Sequence, residues 1–230
     1  MKFKLDPGVV KIVETIEQAG YEAYVVGGAV RDILLGMSAY DWDVTTNATP
    51  EVIEPLFTES FYDNEYGTVK VAGKHIREQF GLREAEIDDS VLYDITTYRT
   101  ELSYSDKRRP DRVEWGKTVE EDLKRRDFTI NAMALGIPVL QFSSTPVNGE
   151  YDCQIVDPYG GQEDLKNKLI KAVGNPSERF EEDALRIMRA IRLSAQLGFG
   201  IEEKTLAALT DKVKNLKEIS WERIGAETMK

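Results

Sequence analysis

The sequence has few of the residues that would place it in several protein classes. Among 230 residues there is one cysteine, Cys153, and one histidine, His75. This scarcity excludes a disulfide framework and a zinc site built from cysteine and histidine. The sequence shows no signal peptide and no run of 18 apolar residues, so we expect a cytoplasmic protein with no membrane partner. Positive charge is also in deficit, with a formal net charge of −11.

This charge argues against a nucleic-acid-binding protein, because phosphate contacts need lysine and arginine. Net charge is an average over the whole chain, however, and the basic residues are clustered. Hydrophobic residues make up 41% and charged residues 31%, which is typical of a folded globular chain. A chain of 230 residues can form one large domain or two small ones.

The most informative stretch is residues 24–46, YVVGGAVRDILLGMSAYDWDVTT. A short apolar run predicts a buried strand, and Gly27-Gly28 then allow a sharp turn in which the backbone can approach a ligand closely. Apolar residues at helical spacing predict a helix after this turn. The turn amides and Arg31, at the start of that helix, can hold phosphate groups.

A second strand is predicted to carry Asp41 and Asp43 on one face, since strand side chains alternate. Two neighbouring carboxylates repel each other unless a cation lies between them. Hard oxygen ligands of this kind suit Mg²⁺ shared with substrate phosphates. The alternative is a surface turn followed by solvated acids on an edge strand.

A second informative stretch is residues 181–195, EEDALRIMRAIRLSA. Four charged residues recur every three positions and are predicted to form one helical stripe: Asp183, Arg186, Arg189 and Arg192. Three apolar residues are predicted to form an adjacent stripe that faces a core: Leu185, Met188 and Ile191. The alternative is ordinary acid–base pairing on an exposed helix, worth only ~0.3–0.5 kcal/mol per pair.

The remaining segments give weaker signals. Residues 7–19 predict a helix, with a proline in the first turn and a glycine at the end. Residues 75–91 are polar and weakly patterned, and we expect a surface excursion without chemistry. Residues 99–118 contain six basic residues and no apolar period, which predicts a mobile loop. From residue 175 onward the pattern is helical throughout, with helices predicted over residues 178–196 and 202–215 and from Trp221.

Three motifs occur in order: GGAVRD followed by D-x-D, then RRDFTINAMA, then EDALRIMRAIR. Together they resemble the nucleotidyltransferase superfamily to which DNA polymerase beta belongs. More narrowly, they are similar to the class II tRNA nucleotidyltransferases (CCA-adding enzymes) and the bacterial poly(A) polymerases. The resemblance covers roughly Val9 to Gly200.

The resemblance implies an α/β (α+β) fold, a DNA polymerase beta-like mixed sheet with flanking helices, followed by an all-helical neck. We expect a catalytic head at residues 1–174 and a neck for base recognition at 175–230. In the family, further helical domains carry the tRNA-binding surface. Because the chain ends at Lys230 inside a helical pattern, we expect either a shortened chain or a reduced enzyme.

The resemblance also implies roles for individual residues. The expected catalytic residues are Asp41, Asp43 and Asp94, of which Asp41 and Asp43 hold Mg²⁺. The expected nucleotide-binding residues are Gly28, Arg31, Arg126, Asp183, Arg186, Arg189 and Arg192. For Asp94, which falls in a predicted strand at 92–98, an edge-strand acid is the alternative. Arg189 and Arg192 are expected to face phosphates or the primer end.

Asp183 and Arg186 have the polarity to select bases. Cytosine and adenine both present an amine donor beside a ring-nitrogen acceptor, which a carboxylate and a guanidinium can match. Uracil and guanine present a carbonyl and an N–H at these two places, so neither Asp183 nor Arg186 would find its partner. Each unmatched buried partner costs ~1–3 kcal/mol.

The first hypothesis is therefore an enzyme that adds C and A to a tRNA 3′ end from CTP and ATP, with two Mg²⁺ ions and release of pyrophosphate. An A-adding enzyme or a poly(A) polymerase is an alternative within the same class. A nucleotide-binding module of a larger assembly is the non-enzymatic alternative. The oligomeric state stays open.

Overall fold

The computed structural model describes residues 1–63, 67–102, 112–137 and 150–229. The chain divides into two compact units. Unit 1 comprises Met1–Arg99, Trp115–Asp122 and Met133–Val156, and unit 2 comprises Thr100–Glu114, Leu123–Ala132 and Asp157–Lys230. The predicted boundary between residues 174 and 175 lies inside unit 2, because residues 157–174 group with the helical residues that follow them.

The strands in the described part of the chain are β1 (Lys2–Lys4), β2 (Ala23–Val26), β3 (Trp42–Thr46), β4 (Phe61–Asp63), β5 (Thr68–Ala72), β6 (Leu92–Thr97), β7 (Arg99–Leu102), β8 (Arg112–Trp115), β9 (Ala134–Gly136), β10 (Glu150–Asp152), β11 (Gln154–Val156), β12 (Leu169–Ile170) and β13 (Gly200–Ile201). The main sheet has the spatial order β11-β9-β2-β3-β6-β5-β4. Its β3–β6 pair is parallel and its other pairs are antiparallel, so the sheet is mixed, as predicted.

The helices are α1 (Pro7–Gln18), α2 (Gly28–Leu34), α3 (Pro50–Ile53), α4 (Gly73–Phe80), α5 (Val119–Lys124), α6 (Gly161–Lys166), α7 (Pro176–Glu182), α8 (Leu185–Leu197), α9 (Glu203–Lys212) and α10 (Trp221–Thr228). None of these helices combines the length and the hydrophobicity that a membrane span requires, as far as the described residues go.

Helix α1 shows how the sequence sets the first element of unit 1. The Asp6 carboxylate accepts hydrogen bonds from Gly8 N at 2.8 Å and Val9 N at 3.0 Å, which satisfies two amides that the helix leaves unpaired. The Tyr93 hydroxyl donates to the same carboxylate at 2.6 Å and ties β6 to the start of α1. The predicted helix over residues 7–19 is confirmed to within one residue.

The central strands of unit 1 have one buried face and one polar face. Val44, Val69 and Ile95 are fully buried on the first face, where α1 packs against β3 and α4 packs against β5. Because side chains alternate along a strand, the residues between them face the opposite side. This second face carries the charged residues of β3, β6 and β5.

Two segments of the chain contain more regular structure than the sequence analysis expected. Within residues 75–91 the structure contains most of α4, because Ile76 is fully buried in an otherwise polar helix. The excursion that follows packs on the start of this helix, where Gly73 N donates to Val91 O at 2.8 Å. Within residues 99–118, strands β7 and β8 form a two-stranded sheet. The prediction of a mobile loop also covers residues 103–111, which lie outside the described residues.

The helix predicted over residues 178–196 is broken at Asp183, whose backbone is extended with φ −142° and ψ 107°. Asp183 therefore does not lie on the same helix as the three arginines that follow it. The predicted apolar stripe of α8 was also wrong. Its buried face contains Ile187 and Leu193, whereas Ile191 is 45% exposed, because the break sets a different face of α8 against the core.

This observation gives a matched pair of substitutions on one helix. Ile187→Ala should lower the free energy of unfolding by about 2–5 kcal/mol, because it leaves a cavity in the core. Ile191→Ala removes the same atoms at an exposed position and should stay within about 0.5 kcal/mol of the wild type. Urea unfolding followed by circular dichroism measures both, and equal losses would contradict the assigned face.

Candidate functional site

In unit 1, the turn after β2 is built by two glycines and covered by one arginine. Gly27 has φ 76° and ψ −142°, a conformation that side chains other than hydrogen rarely allow. A Cβ on Gly28 would lie 3.4 Å from Arg31 Nη2, so this guanidinium packs on the glycine backbone. Asp32 fixes the guanidinium through contacts of 2.8 Å to Nε and Nη2. Gly28 and Arg31 therefore occur together at one turn, as predicted from their spacing.

The polar face of the sheet places three charged residues side by side. Asp43 lies directly opposite Asp94 in the parallel β3–β6 pair. Asp94 lies directly opposite Lys70 in the antiparallel β5–β6 pair. Lys70 Nζ contacts both oxygens of the Asp94 carboxylate, at 3.0 Å and 2.8 Å. We refer to these residues as the Asp43–Asp94–Lys70 row.

The neighbouring row on the same face is made of threonines. Thr45 lies opposite Thr96 in the parallel pair, and Thr68 lies opposite Thr96 in the antiparallel pair. The hydroxyls of Thr68 and Thr96 are 3.0 Å apart, and Thr45 Oγ1 donates to Thr96 O at 3.2 Å. These bonds fix the strands next to the charged row.

Asp41 is placed differently from its predicted partner. It lies one residue before β3 and is exposed, whereas Asp43 is half-buried within the strand. The alternation argument assumed that the strand extends through both residues. The structure thus brings Asp43 together with Asp94, which the D-x-D spacing did not predict.

The carboxylates of this face can be compared with the ligands that a divalent cation requires. Across the described ranges, no three His, Cys, Asp or Glu side chains form a group that could hold a metal ion. Mg²⁺ is usually held by only one or two carboxylates, with waters and substrate phosphates completing its coordination. Asp43 and Asp94 supply two hard oxygen ligands in adjacent positions, so these residues fit such an ion.

In unit 2, the motif RRDFTINAMA forms a buried charged turn. Asp127 Oδ1 accepts from Phe128 N at 2.8 Å, and Asp127 Oδ2 lies 2.9 Å from Arg189 Nε. Burial raises the pKa of the Asp127 carboxyl, but the charges of Arg189 and Arg186, together with hydrogen bonds from Phe128 N and Asn131, hold the pKa below its ordinary value. Asp127 therefore anchors Arg189, and the predicted nucleotide-binding residue Arg126 precedes it directly.

Asp183 occupies the junction between α7 and α8. Its Oδ1 accepts from Leu185 N at 3.0 Å, and Arg223 lies 3.6 Å from its other oxygen. Burial raises the pKa of the Asp183 carboxyl, although the bond from Leu185 N and the nearby arginines oppose this shift. The carboxylate is therefore fixed and partly desolvated.

Arg186 is held in place by three groups of unit 2. It donates to the Glu182 carboxylate, to Arg179 O at 3.2 Å and to Arg125 O at 3.2 Å. Glu182 also binds Arg179. Only 9% of the Arg186 side chain is exposed. Glu182 thus fixes Arg186.

Arg192 contacts a carboxylate from the last helix. Its Nε lies 2.7 Å from Glu227 Oε1, and Glu227 is buried. Its Nη1 donates to Gln196 at 2.9 Å. Arg189 and Arg192 therefore both have carboxylate partners here, where the sequence reasoning expected phosphates or a primer end.

Sequence reasoning missed Lys70. Side chains alternate along the strand TVKVA, so Lys70 points to the other face of the sheet from the buried Val69 and Val71. This alternation marks Lys70 as a residue of the polar face. Its contact with Asp94 depends on the pairing of β5 with β6, which no local pattern reveals.

Comparison with known proteins identifies the family. The pattern of the Poly A polymerase head domain matches residues 23–171. The CCA-adding enzyme of Lactobacillus helveticus is 46% identical over 220 residues, which cover 95% of this chain and 48% of that protein. The CCA-adding enzyme of Enterococcus faecalis is also 46% identical over 220 residues, which cover 95% of this chain and 47% of that protein.

Solved structures agree with the sequence matches. The Bacillus stearothermophilus CCA-adding enzyme in complex with CTP has a TM-score of 0.75 and 35% identity, covering 97% of this chain and 48% of that chain. The Thermotoga maritima CCA-adding enzyme complexed with tRNA-CCA has a TM-score of 0.71 and 26% identity. The match covers 97% of this chain and 47% of that chain. The chain therefore spans about half the length of these relatives.

These comparisons confirm the predicted nucleotidyltransferase-type fold, a mixed sheet with flanking helices, and the predicted resemblance to CCA-adding enzymes. The matched pattern begins within β2 and ends just after β12, so it includes the glycine turn, the Asp43–Asp94–Lys70 row and the RRDFTINAMA motif. With residues 23–171 matched, which is more than half of its length, the chain belongs to the family of the Poly A polymerase head domain.

Proposed function

We propose that this chain catalyses template-independent addition of C and A to the 3′ end of tRNA in the cytoplasm, using CTP and ATP and releasing pyrophosphate. The observation that carries the proposal is the adjacent pair of Asp43 and Asp94 on parallel strands, beside the strand that leads into the Gly27-Gly28 turn. The names of the relatives support the same reaction, since they are CCA-adding enzymes with 43–46% identity.

The residues of unit 1 supply the reaction chemistry in this proposal. Mg²⁺, when bound, activates the 3′-hydroxyl and neutralises the leaving pyrophosphate. Asp43 and Asp94 would hold the ion, and Asp41, the residue before β3, would supply a further carboxylate. The Gly27-Gly28 turn lets the backbone reach the triphosphate without a side chain in the way. Arg31, fixed by Asp32, adds positive charge at this turn.

The residues of unit 2 select the base in this proposal. Asp183 accepts from the exocyclic amine of cytosine or adenine, and Arg186 donates to the ring nitrogen. Both side chains are fixed by neighbours, so a wrong base cannot be accommodated by their rotation. As part of the proposal, Arg126 keeps its predicted role as a nucleotide-binding residue, and Arg189 and Arg192 keep theirs at phosphates or the primer end.

Sequencing the 3′ ends of a tRNA that lacks CCA tests the reaction itself. Incubation with CTP and ATP should add two C residues and one A. A single A would support the A-adding alternative, and a long A tract would support the poly(A) polymerase. Unchanged 3′ ends together with measurable CTP binding would support the non-enzymatic nucleotide-binding module.

Asp43→Asn and Asp94→Asn test the carboxylate pair. Each substitution keeps the shape of the side chain and removes one metal ligand, so incorporation of CMP should fall by about 10²-fold or more. The control is Asp211→Asn, an exposed aspartate of α9 with 67% side-chain exposure. Near wild-type rates for both row variants in Mg²⁺ would contradict the assignment.

Asp183→Asn tests base selection in unit 2. The amide oxygen can still accept from Leu185 N, so the start of α8 should be retained. The amide nitrogen can donate to the exocyclic oxygen of uracil, so UMP incorporation should rise relative to CMP by about tenfold or more, the equivalent of one matched contact. Steady-state incorporation of each nucleotide on one primer measures this ratio.

Glu181→Gln is the matched control, because Glu181 is an exposed acid two residues away. It should leave the C-to-U ratio unchanged. An unchanged ratio in Asp183→Asn, with activity retained, would remove the base-reading role from this junction.

A further inference from the structure

The Asp43–Asp94–Lys70 row places one fixed positive charge beside the proposed metal site. Lys70 Nζ lies within 3.0 Å of both Asp94 oxygens, and the two side chains are 28% and 33% exposed. On its other side in the sheet, Lys70 is opposite Phe61. Within the row, Asp94 is therefore the carboxylate that Lys70 contacts.

The position of Lys70 follows from the repulsion between two acids. Like charges directly opposite each other on neighbouring strands are destabilising. Asp43 and Asp94 are directly opposite, and a cation beside either carboxylate reduces this cost. Lys70 supplies such a cation from the protein itself.

The same charge opposes a second cation. A divalent ion held by Asp43 and Asp94 would lie within several ångströms of the ammonium group, and it would take up oxygens that Lys70 now contacts. We propose that Lys70 is a positioning residue that acts as a built-in counter-ion of Asp94. It holds the carboxylate in place without metal and weakens divalent-ion binding until substrate phosphates add their own ligands.

This inference rests on the proposed function, because it takes Asp43 and Asp94 as the metal ligands. A counter-ion role and a purely structural role for Lys70 predict opposite effects of its removal on metal binding. If Lys70 only aligned Asp94 for the metal, its removal would weaken metal binding. If Lys70 competes with the metal, its removal should strengthen metal binding.

Titration of the nucleotide-free protein with Mn²⁺, followed by the electron paramagnetic resonance signal of free Mn²⁺, separates these cases. Lys70→Met removes the charge and keeps an unbranched side chain, and it should lower the Mn²⁺ dissociation constant about tenfold at low ionic strength. The difference should shrink with added salt, since exposed charges are screened. Lys70→Arg keeps the charge and should behave like the wild type.

Lys11→Met is the matched control. Lys11 forms a similar half-exposed ion pair with Glu14, at 2.6 Å and with 38% and 28% side-chain exposure, on α1. The substitution removes the same net charge away from the row and should leave Mn²⁺ binding unchanged. Circular dichroism of each variant checks that the fold is retained.

Asp43→Asn separates failure of this inference from failure of the proposed function. If Asp43→Asn weakens Mn²⁺ binding but Lys70→Met leaves it unchanged or weakens it, the counter-ion role is overturned and the metal site stands. If Asp43→Asn has no effect on Mn²⁺ binding, or if neither the wild type nor Lys70→Met binds Mn²⁺, the metal assignment and the role of Lys70 both fall.

Discussion

The repulsion between Asp43 and Asp94 is the interaction on which the proposed active site depends. The parallel pairing of β3 with β6 sets the two carboxylates directly opposite each other, where like charges are destabilising. A fold that keeps this arrangement needs positive charge nearby, and Lys70 supplies it in this structure. A site with this electrostatic character is suited to a divalent ion and to a triphosphate that brings the ion with it.

The two faces of the central sheet allow this charged row to exist. The buried face is covered by α1 and α4 and holds fully buried residues such as Val44 and Ile95. Burial of this face stabilises the unit, while the opposite face carries polar groups that are partly exposed, such as Asp43 and Lys70. Hydrogen bonds among Thr45, Thr68 and Thr96 fix the strands beside the row. The residues that stabilise unit 1 and those proposed for its chemistry therefore lie on opposite faces of one sheet.

Unit 2 uses charge in another way. Its arginines are held by carboxylates: Arg189 by Asp127, Arg186 by Glu182 and Arg192 by Glu227. In these pairs each of the three arginines is matched by a carboxylate, which is how a chain of net charge −11 can contain a dense arginine motif. Groups fixed in this way discriminate between ligands through the cost of unmatched hydrogen bonds. Selection of bases by Asp183 and Arg186 would depend on that rigidity.

The sequence by itself determined the elements whose signals are local. The Asp6 cap and apolar spacing set α1, the glycine pair sets the turn after β2, and alternation sets β6 with Asp94 in it. The order of the motifs was sufficient to indicate the family. Sequence reasoning failed where distant residues decide the outcome. Burial of Ile76 stabilises α4 in a polar segment, and the break at Asp183 turns Ile187 rather than Ile191 toward the core. The contact of Lys70 with Asp94 exists only because β5 pairs with β6 in one register. Tertiary structure alone decided these features, because strand register and helix orientation depend on packing between residues that are far apart in the chain.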